Sequence, residues 1–178
     1  MNRRTMMAAL LACGALGGCA RYYYGEHAVR DPVDLVALHH GAADALLQQV
    51  ALDPAQPVLV ATVVQLDRLD ASSRLGRLVS EHVAGRLAQR GLRVTELRLR
   101  ETLALRPLQG ELLLSREAHQ VAQAQAAQAV LVGTYAVAPQ AVYVSLRLVG
   151  PQGNAVLAAH DYALPMDGNV RGLLVESY

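Results

Sequence analysis

The sequence contains no lysine, no phenylalanine and no tryptophan, and it has only two cysteines. All 16 basic residues are therefore arginines, and they are balanced by 15 acidic residues. Because lysine is absent, the amine nucleophile of Schiff-base enzymes is excluded. A formal net charge of +1 provides no electrostatic attraction for nucleic acid or for an anionic membrane surface, so neither is predicted as a partner.

The composition does favour a folded domain. The chain has 178 residues, of which 53% are hydrophobic. A chain of this length forms one domain that buries roughly two thirds of its unfolded surface. Only 17% of the residues are charged, but the apolar residues recur with regular periods, which is not typical of a disordered chain.

The N-terminal residues have the organisation of an export sequence. Arg3 and Arg4 precede the apolar run 6–16, which is too short to span a bilayer. The run ends in Leu16-Gly17-Gly18-Cys19, which resembles a bacterial lipobox. We therefore predict a lipoprotein signal peptide over residues 1–18 and lipidation of the Cys19 thiol. The alternative is a simple signal peptide in which Cys19 is incidental.

Lipidation would fix the location of the mature protein. Cys13 would be removed with the signal peptide, so no cysteine would remain for a disulfide. Ala20 follows Cys19, whereas an aspartate there would favour retention in the inner membrane. We expect a protein anchored to the outer membrane by its acyl chains, with its domain on the periplasmic side. Residues 19–31 are predicted to be a tether, whose three tyrosines either lie at the lipid headgroups or pack on the domain.

Residues 32–165 are predicted to form a single α/β domain, with a tail over residues 166–178. Asp31 and Pro32 predict a helix start, and that helix should continue to about Leu52. The almost continuous apolar run 57–66 predicts a strand buried on both faces. Ser72 or Ser73 would cap the next helix, Gly91 would end it, and the strand 92–99 would complete a right-handed β-α-β unit.

The second half of the domain is predicted to be mainly β-structure. A third helix should run from Ser115 to about Ala127. Three strands joined by short turns should then form an antiparallel meander: 129–138, 141–149 and 155–164. The predicted order is αβαβαβββ, with a mixed sheet of about five strands.

The histidines of the first two predicted helices are candidates for metal ligands or for core positions. His40 and Asp44 lie four residues apart on one helix face, behind His39, a spacing that suits two metal ligands. Zinc requires at least a third protein ligand, and no cysteine remains to provide it. We therefore interpret these histidines as partly buried or surface residues. His82 falls in the apolar stripe of its helix and is predicted to lie at the edge of the core.

A hydrolytic site is also disfavoured. Ser72 or Ser73 with His160 and Asp161 would supply a nucleophile, a base and an orienting carboxylate, but no G-x-S-x-G sequence is present. Capping of a helix is the preferred role of the serines. We predict no catalytic residue, no metal and no cofactor.

Two further features permit a functional or a structural interpretation. Gly76 lies in the first turn of a helix, where it costs about 1 kcal/mol relative to alanine, and indicates either close packing or anion binding at the helix start. Four arginines lie on and after the second predicted strand. We interpret them as a solvated strand face, and the alternative is a contact with a carboxylate or with peptidoglycan: Arg93, Arg98, Arg100 and Arg106.

Several sequence blocks resemble the FlgO-type domain of flagellar outer-membrane lipoproteins. They are 72–81, 86–91, 96–100, 114–117, 132–135 and 161–165. The resemblance implies a non-enzymatic lipoprotein needed for normal flagellar motility and associated with accessory structures around the basal body. It provides no catalytic residues, and only Cys19 receives a defined role from it.

The predicted architecture is also similar to ring-forming lipoproteins of the curli and exopolysaccharide systems. The hypothesis is therefore a structural lipoprotein of the flagellum, whose partners are the outer membrane and flagellar or other envelope proteins. The alternative is a subunit of an export ring, in which the protein would form a homo-oligomer.

Overall fold

The computed structural model describes residues 32–69, 71–97, 126–151 and 155–175. Residues Val33–Tyr178 form one compact unit. Its described elements are, in chain order, α1 (Leu35–Leu47), β1 (Pro57–Ala61), β2 (Val64–Gln65), α2 (Arg74–Gln89), β3 (Arg93–Leu97), β4 (Ala129–Val137), β5 (Ala141–Val149), β6 (Val156–Pro165) and α3 (Gly168–Leu174). This is the predicted single domain with mixed α and β structure. Cys19, the tether 19–31 and most of the predicted third helix lie outside the described residues.

The sheet is mixed, with the strand order β3-β1-β4-β5-β6, and β2 pairs with β4 beside this path. β1 is parallel to both β3 and β4, and α2 connects β1 and β2 to β3, so the predicted β-α-β unit is present. β4, β5 and β6 form the predicted antiparallel meander. The sheet has six strands rather than about five, because the predicted strand 57–66 is divided in two.

The division of that strand is caused by Val63. Its N–H donates to Ser80 Oγ at 2.8 Å, and its carbonyl accepts from Ser72 Oγ at 2.8 Å. Val63 therefore bonds to the side chains around α2 instead of to a neighbouring strand. The register along β4 changes by one residue between β1 and β2, as expected where an extra residue is inserted.

The first helix differs from its prediction at both ends. Its N-cap is Asp34, whose carboxylate accepts from Ala37 N at 2.9 Å, so Asp31 is not the cap and Pro32 is not helical. The helix ends at Leu47 rather than near Leu52. After its last turn the chain leaves the helix, and Val50 and Leu52 still pack against the core.

The second helix agrees closely with its prediction. Ser73 is the N-cap, and its Oγ accepts from Gly76 N at 3.2 Å. Gly91 follows the helix with a φ of +86°, a backbone conformation that favours glycine. The helix α3 was not predicted, since residues 166–178 were interpreted as a tail; it begins after Asp167, whose carboxylate accepts from Val170 N.

The core lies between the helices and one face of the sheet, here called the inner face. Alternate residues of β5 face it, and all four are buried: Val142, Val144, Leu146 and Leu148. A smaller cluster of Leu59, Ala127 and Val130 lies on the opposite, outer face. β1 is consequently buried on both faces, as its apolar sequence predicted. No described helix has the length and apolar character needed to cross a membrane.

Candidate functional site

The histidines of α1 and α2 meet in one cluster at the helix interface. His39 is completely buried, and its Nδ1 lies 3.0 Å from Nδ1 of the half-buried His82. The ring of His40 lies edge-on to that of His82, with 6.3 Å between centroids. Tyr162 of β6 closes the cluster, because its ring lies 5.9 Å from that of His39.

Burial determines the electrostatics of this cluster. It lowers the pKa of His39 from 6.5 to about 4, with further contributions from His82 and His40. Burial and His40 also lower the pKa of His82, while Glu81 and Asp34 oppose that change. Burial raises the pKa of Tyr162. Both imidazoles are therefore uncharged at neutral pH, and one Nδ1–H donates to the other Nδ1.

Asp44, the possible partner of His40 in a metal site, is engaged elsewhere. Its two oxygens accept from Arg86 Nη2 at 2.7 Å and from Arg86 Nε at 3.0 Å. Arg90 Nε donates to the same carboxylate at 2.8 Å. The two guanidinium groups hold the pKa of Asp44 well below its usual range. Across the described residues no group of three or more metal-ligating side chains is found.

The residues considered for a hydrolytic triad are not brought together. Ser72 Oγ donates to the Val63 carbonyl, and Ser73 caps α2, so both serines are structural. Asp161 accepts a hydrogen bond from Ser145, while His160 stacks on Tyr162. These contacts give Ser73 the capping role that the sequence favoured, and they connect neither serine to His160 or Asp161.

Gly76 has the close-packing role that was one of its two interpretations. A Cβ at this position would lie 2.3 Å from the Val63 carbonyl oxygen and 3.1 Å from the Tyr135 ring. Of the arginine stretch, Arg93 lies exposed at the start of β3, whereas Arg98, Arg100 and Arg106 lie outside the described residues.

The outer face of the sheet carries a concave surface with exposed apolar side chains. This outer groove has a volume of about 520 Å³. Its rim includes two large apolar side chains, Tyr143 at 58% and Leu66 at 46% exposure. Its floor is polar, because Thr134 and Ser145 are opposite each other in the register, as are Ser145 and Asp161. Such a surface can contact a partner through an aromatic side chain while a carboxylate selects the charge of that partner.

Sequence reasoning did not identify this groove. The alternation in β5 placed Tyr143 on the face opposite Val142 and Val144, which was the available indication. No sequence pattern indicated that Leu66 lies in the groove. It reaches the groove through the bend after β2, where its N–H donates to the Tyr135 carbonyl. Asp161 had been considered for catalysis rather than for contact with a partner.

Comparison with known proteins identifies the family. The family model described as "FlgO protein" matches residues 40–169. The chain belongs to the FlgO family. The match contains α2 and every described strand, together with the second half of α1. The comparison with curated proteins finds no match.

Solved structures show a similar fold in two LpoB domains. The LpoB C-terminal domain from Salmonella enterica is 19% identical, with a TM-score of 0.55 and coverage of 74% of this chain and 98% of that one. The LpoB C-terminal domain from Escherichia coli is 18% identical, with a TM-score of 0.53 and the same coverage of 74% and 98%. At these identities the likeness extends to the fold alone.

Proposed function

We propose that this FlgO family member is an outer-membrane lipoprotein that acts as a non-enzymatic accessory component of the flagellum and supports motility. The observation that carries the proposal is the family match over residues 40–169. The basic N-region and the lipobox that ends in Cys19 support the mode of attachment. The acyl chains on Cys19 would hold the domain at the periplasmic face of the outer membrane.

The arrangement of the polar residues supports a role in binding rather than catalysis. Among the described residues, those considered for hydrolysis make structural contacts: Ser72 and Ser73 bond to backbone groups, Asp161 accepts from Ser145, and His160 stacks on Tyr162. The outer groove instead presents Tyr143 and Leu66 to a partner. Exposed aromatic side chains of this kind are enriched at protein contacts.

The test combines a deletion with two cysteine variants. A clean deletion strain is complemented with the wild type, with Cys19→Ala, or with Cys13→Ala as the matched control. We expect the deletion to reduce swimming and the wild type and Cys13→Ala to restore it. Cys19→Ala should leave the outer-membrane fraction and fail to restore swimming.

Two results would contradict the proposal separately. Normal swimming of the deletion strain would remove the flagellar role and leave the anchor untouched. Persistence of Cys19→Ala in the outer-membrane fraction would remove the anchor and leave the role in motility.

A further inference from the structure

The helix α1 buries fewer apolar side chains than α2 does. It packs against α2 and β6. The side chains that α1 buries are His39, Ala42, Ala43 and Leu46. The buried apolar side chains of α2 are larger and more numerous: Leu75, Val79, Val83, Ala84 and Leu87. Because local opening is easiest where few apolar contacts hold an element, α1 is the one of these two helices that detaches more readily.

Two polar contacts join α1 to α2, and they respond differently to acid. Asp44 accepts from Arg90 Nε at 2.8 Å and from Arg86 Nε at 3.0 Å. Arg90 and Arg86 hold the pKa of Asp44 well below its usual range, so this ion pair persists in mildly acidic solution. The other contact joins Nδ1 of His39 to Nδ1 of His82, and imidazoles do titrate in that range.

The hydrogen bond between the histidines tolerates one added proton but not two. The first proton gives an imidazolium whose Nδ1–H still donates to the other Nδ1. A second proton places an N–H group on both nitrogens, which lie 3.0 Å apart. His39 Nε2 and Tyr162 Oη are buried, and neither has a hydrogen-bond partner among the described residues. An imidazolium at His39 would therefore be a buried charge without an acceptor.

The other charged and titratable groups that face the pair come from α1 with its cap, from α2 and from β6: Asp34, His40, Glu81, His160 and Tyr162. Glu81 and Asp34 favour the charged form of His82, whereas His40 opposes it. Among the described residues, the other elements that pack on α1 or α2 contribute no charge that acts on either imidazole. The first proton is therefore placed on His82, and the second must enter at His39.

We propose that α1 is an acid-released latch: when His39 and His82 are both protonated, α1 detaches from α2 and β6 while the sheet and α2 remain folded. Detachment separates two like charges and returns both imidazolium groups to water. The ion pair of Asp44 and the bonds of Gln49 to the Ala159 backbone oppose the release. They set how far the pH must fall before α1 opens.

Release of α1 would change the reach of an anchored domain. α1 is the first described element after the predicted tether 19–31, and it has 13 residues. They span about 20 Å as a helix and about 45 Å when extended. An isolated helix of this length is marginal in water, so a detached α1 would lengthen the tether. This consequence rests on the proposed lipid at Cys19, whereas the latch itself does not.

Hydrogen exchange tests the latch without cells. The lipidated full-length protein is held in detergent at pH 7 and at pH 5, and peptic peptides from α1 and from β4 and β5 are followed by mass spectrometry. Protection factors are corrected for the intrinsic effect of pH on exchange. The protection of α1 should fall about 20-fold, the change that follows from a His39 pKa of 6.5 in the open state and about 4 in the closed state.

The comparison with the sheet distinguishes a latch from unfolding of the whole domain. Because α1 opens without the sheet, its protection should lie at least tenfold below that of β4 and β5 at both pH values. Equal protection of α1 and the sheet would overturn the proposal, and so would the same protection of α1 at pH 7 and pH 5. These wild-type results do not require any variant to fold.

Three variants assign the pH dependence to the histidine pair. His39→Leu should remove most of the 20-fold change, and His160→Gln, the matched control on β6, should keep it. Asp44→Asn should lower the protection of α1 about fivefold at both pH values and leave the ratio between them unchanged. An undiminished change in His39→Leu would contradict the latch. The swimming of the deletion strain and the location of Cys19→Ala have no bearing on these results.

Discussion

The Nδ1 atoms of His39 and His82 lie 3.0 Å apart, across the interface of α1 and α2. One proton between them makes a hydrogen bond, whereas a proton on each nitrogen directs two N–H groups at each other. The pair therefore joins the two helices only while at least one of these nitrogens is unprotonated.

We predict that stability falls as the pH is lowered through the range in which these histidines titrate. The folded state lowers the pKa of His39 from 6.5 to about 4, so the unfolded chain binds a proton that the folded chain does not. The stabilisation is fully present above pH 6.5 and decreases between pH 6.5 and about 4. The lowered pKa of His82 adds to the loss.

The measurement is urea unfolding at a series of pH values across this range. His39→Leu should flatten the dependence, because an apolar side chain tolerates the buried position. His160→Gln, which removes a histidine whose recorded ring contact is with Tyr162 only, should keep it. An equally steep dependence in His39→Leu would show that other groups cause it.

Asp44 is predicted to contribute to the same helix interface by a separate ion pair. Asp44→Asn should lower the free energy of unfolding by about 1 kcal/mol, because it weakens charged hydrogen bonds at a partly exposed site. High salt should reduce the difference. A double-mutant cycle with Arg86→Ala measures the coupling; a coupling near zero would mean that the bidentate contact at 2.7 Å and 3.0 Å adds no stability.

Gly76 and Gly85 lie in the same helix and should respond in opposite ways to alanine. Gly76→Ala places a Cβ 2.3 Å from the Val63 carbonyl oxygen, so overpacking of about 1–3 kcal/mol outweighs the gain in helix propensity. Nothing lies within 4 Å of a Cβ at Gly85, and its replacement should stabilise the protein by about 0.5–1 kcal/mol. Thermal unfolding of both variants tests the pair, and stabilisation by Gly76→Ala would contradict the packing argument.

The sequence allowed the local structure to be predicted where local rules are strong. Ser73 and Gly91 bound α2 because a cap and a left-handed residue depend on their immediate neighbours. The limits of β5 and the turns on either side of it followed from Pro139 and from Gly150 and Pro151. The order of helices and strands could therefore be predicted for most of the described residues.

The remaining features depend on contacts between residues distant in sequence. The break at Val63 requires Ser80, a helical serine with no sequence pattern of its own. Asp44 was considered with His40 on the same helix, but its partners lie 42 and 46 positions away, on α2 and at its C-cap. The bidentate contact of Gln49 with Ala159 spans 110 positions, and no local pattern indicates it.

A substitution in the outer groove is predicted to affect swimming. Tyr143 is 58% exposed at the rim, and its loss removes contact area without opening the core. Loss of an aromatic side chain at the centre of an interface typically costs about 2 kcal/mol, or roughly 30-fold in affinity. We therefore expect Tyr143→Ser to reduce swimming while the amount of protein in the outer-membrane fraction stays normal.

The matched control for this variant is Val156→Ser, which changes a residue that is 54% exposed and does not line the groove. It should swim like the wild type, because exposure alone does not make a contact. Swim-plate diameters of the two variants, with immunoblots of the membrane fractions, complete the comparison. Normal swimming of Tyr143→Ser would remove the groove from the binding surface. An equal defect in both variants would show that the effect is not specific to the groove, because Val156 does not line it.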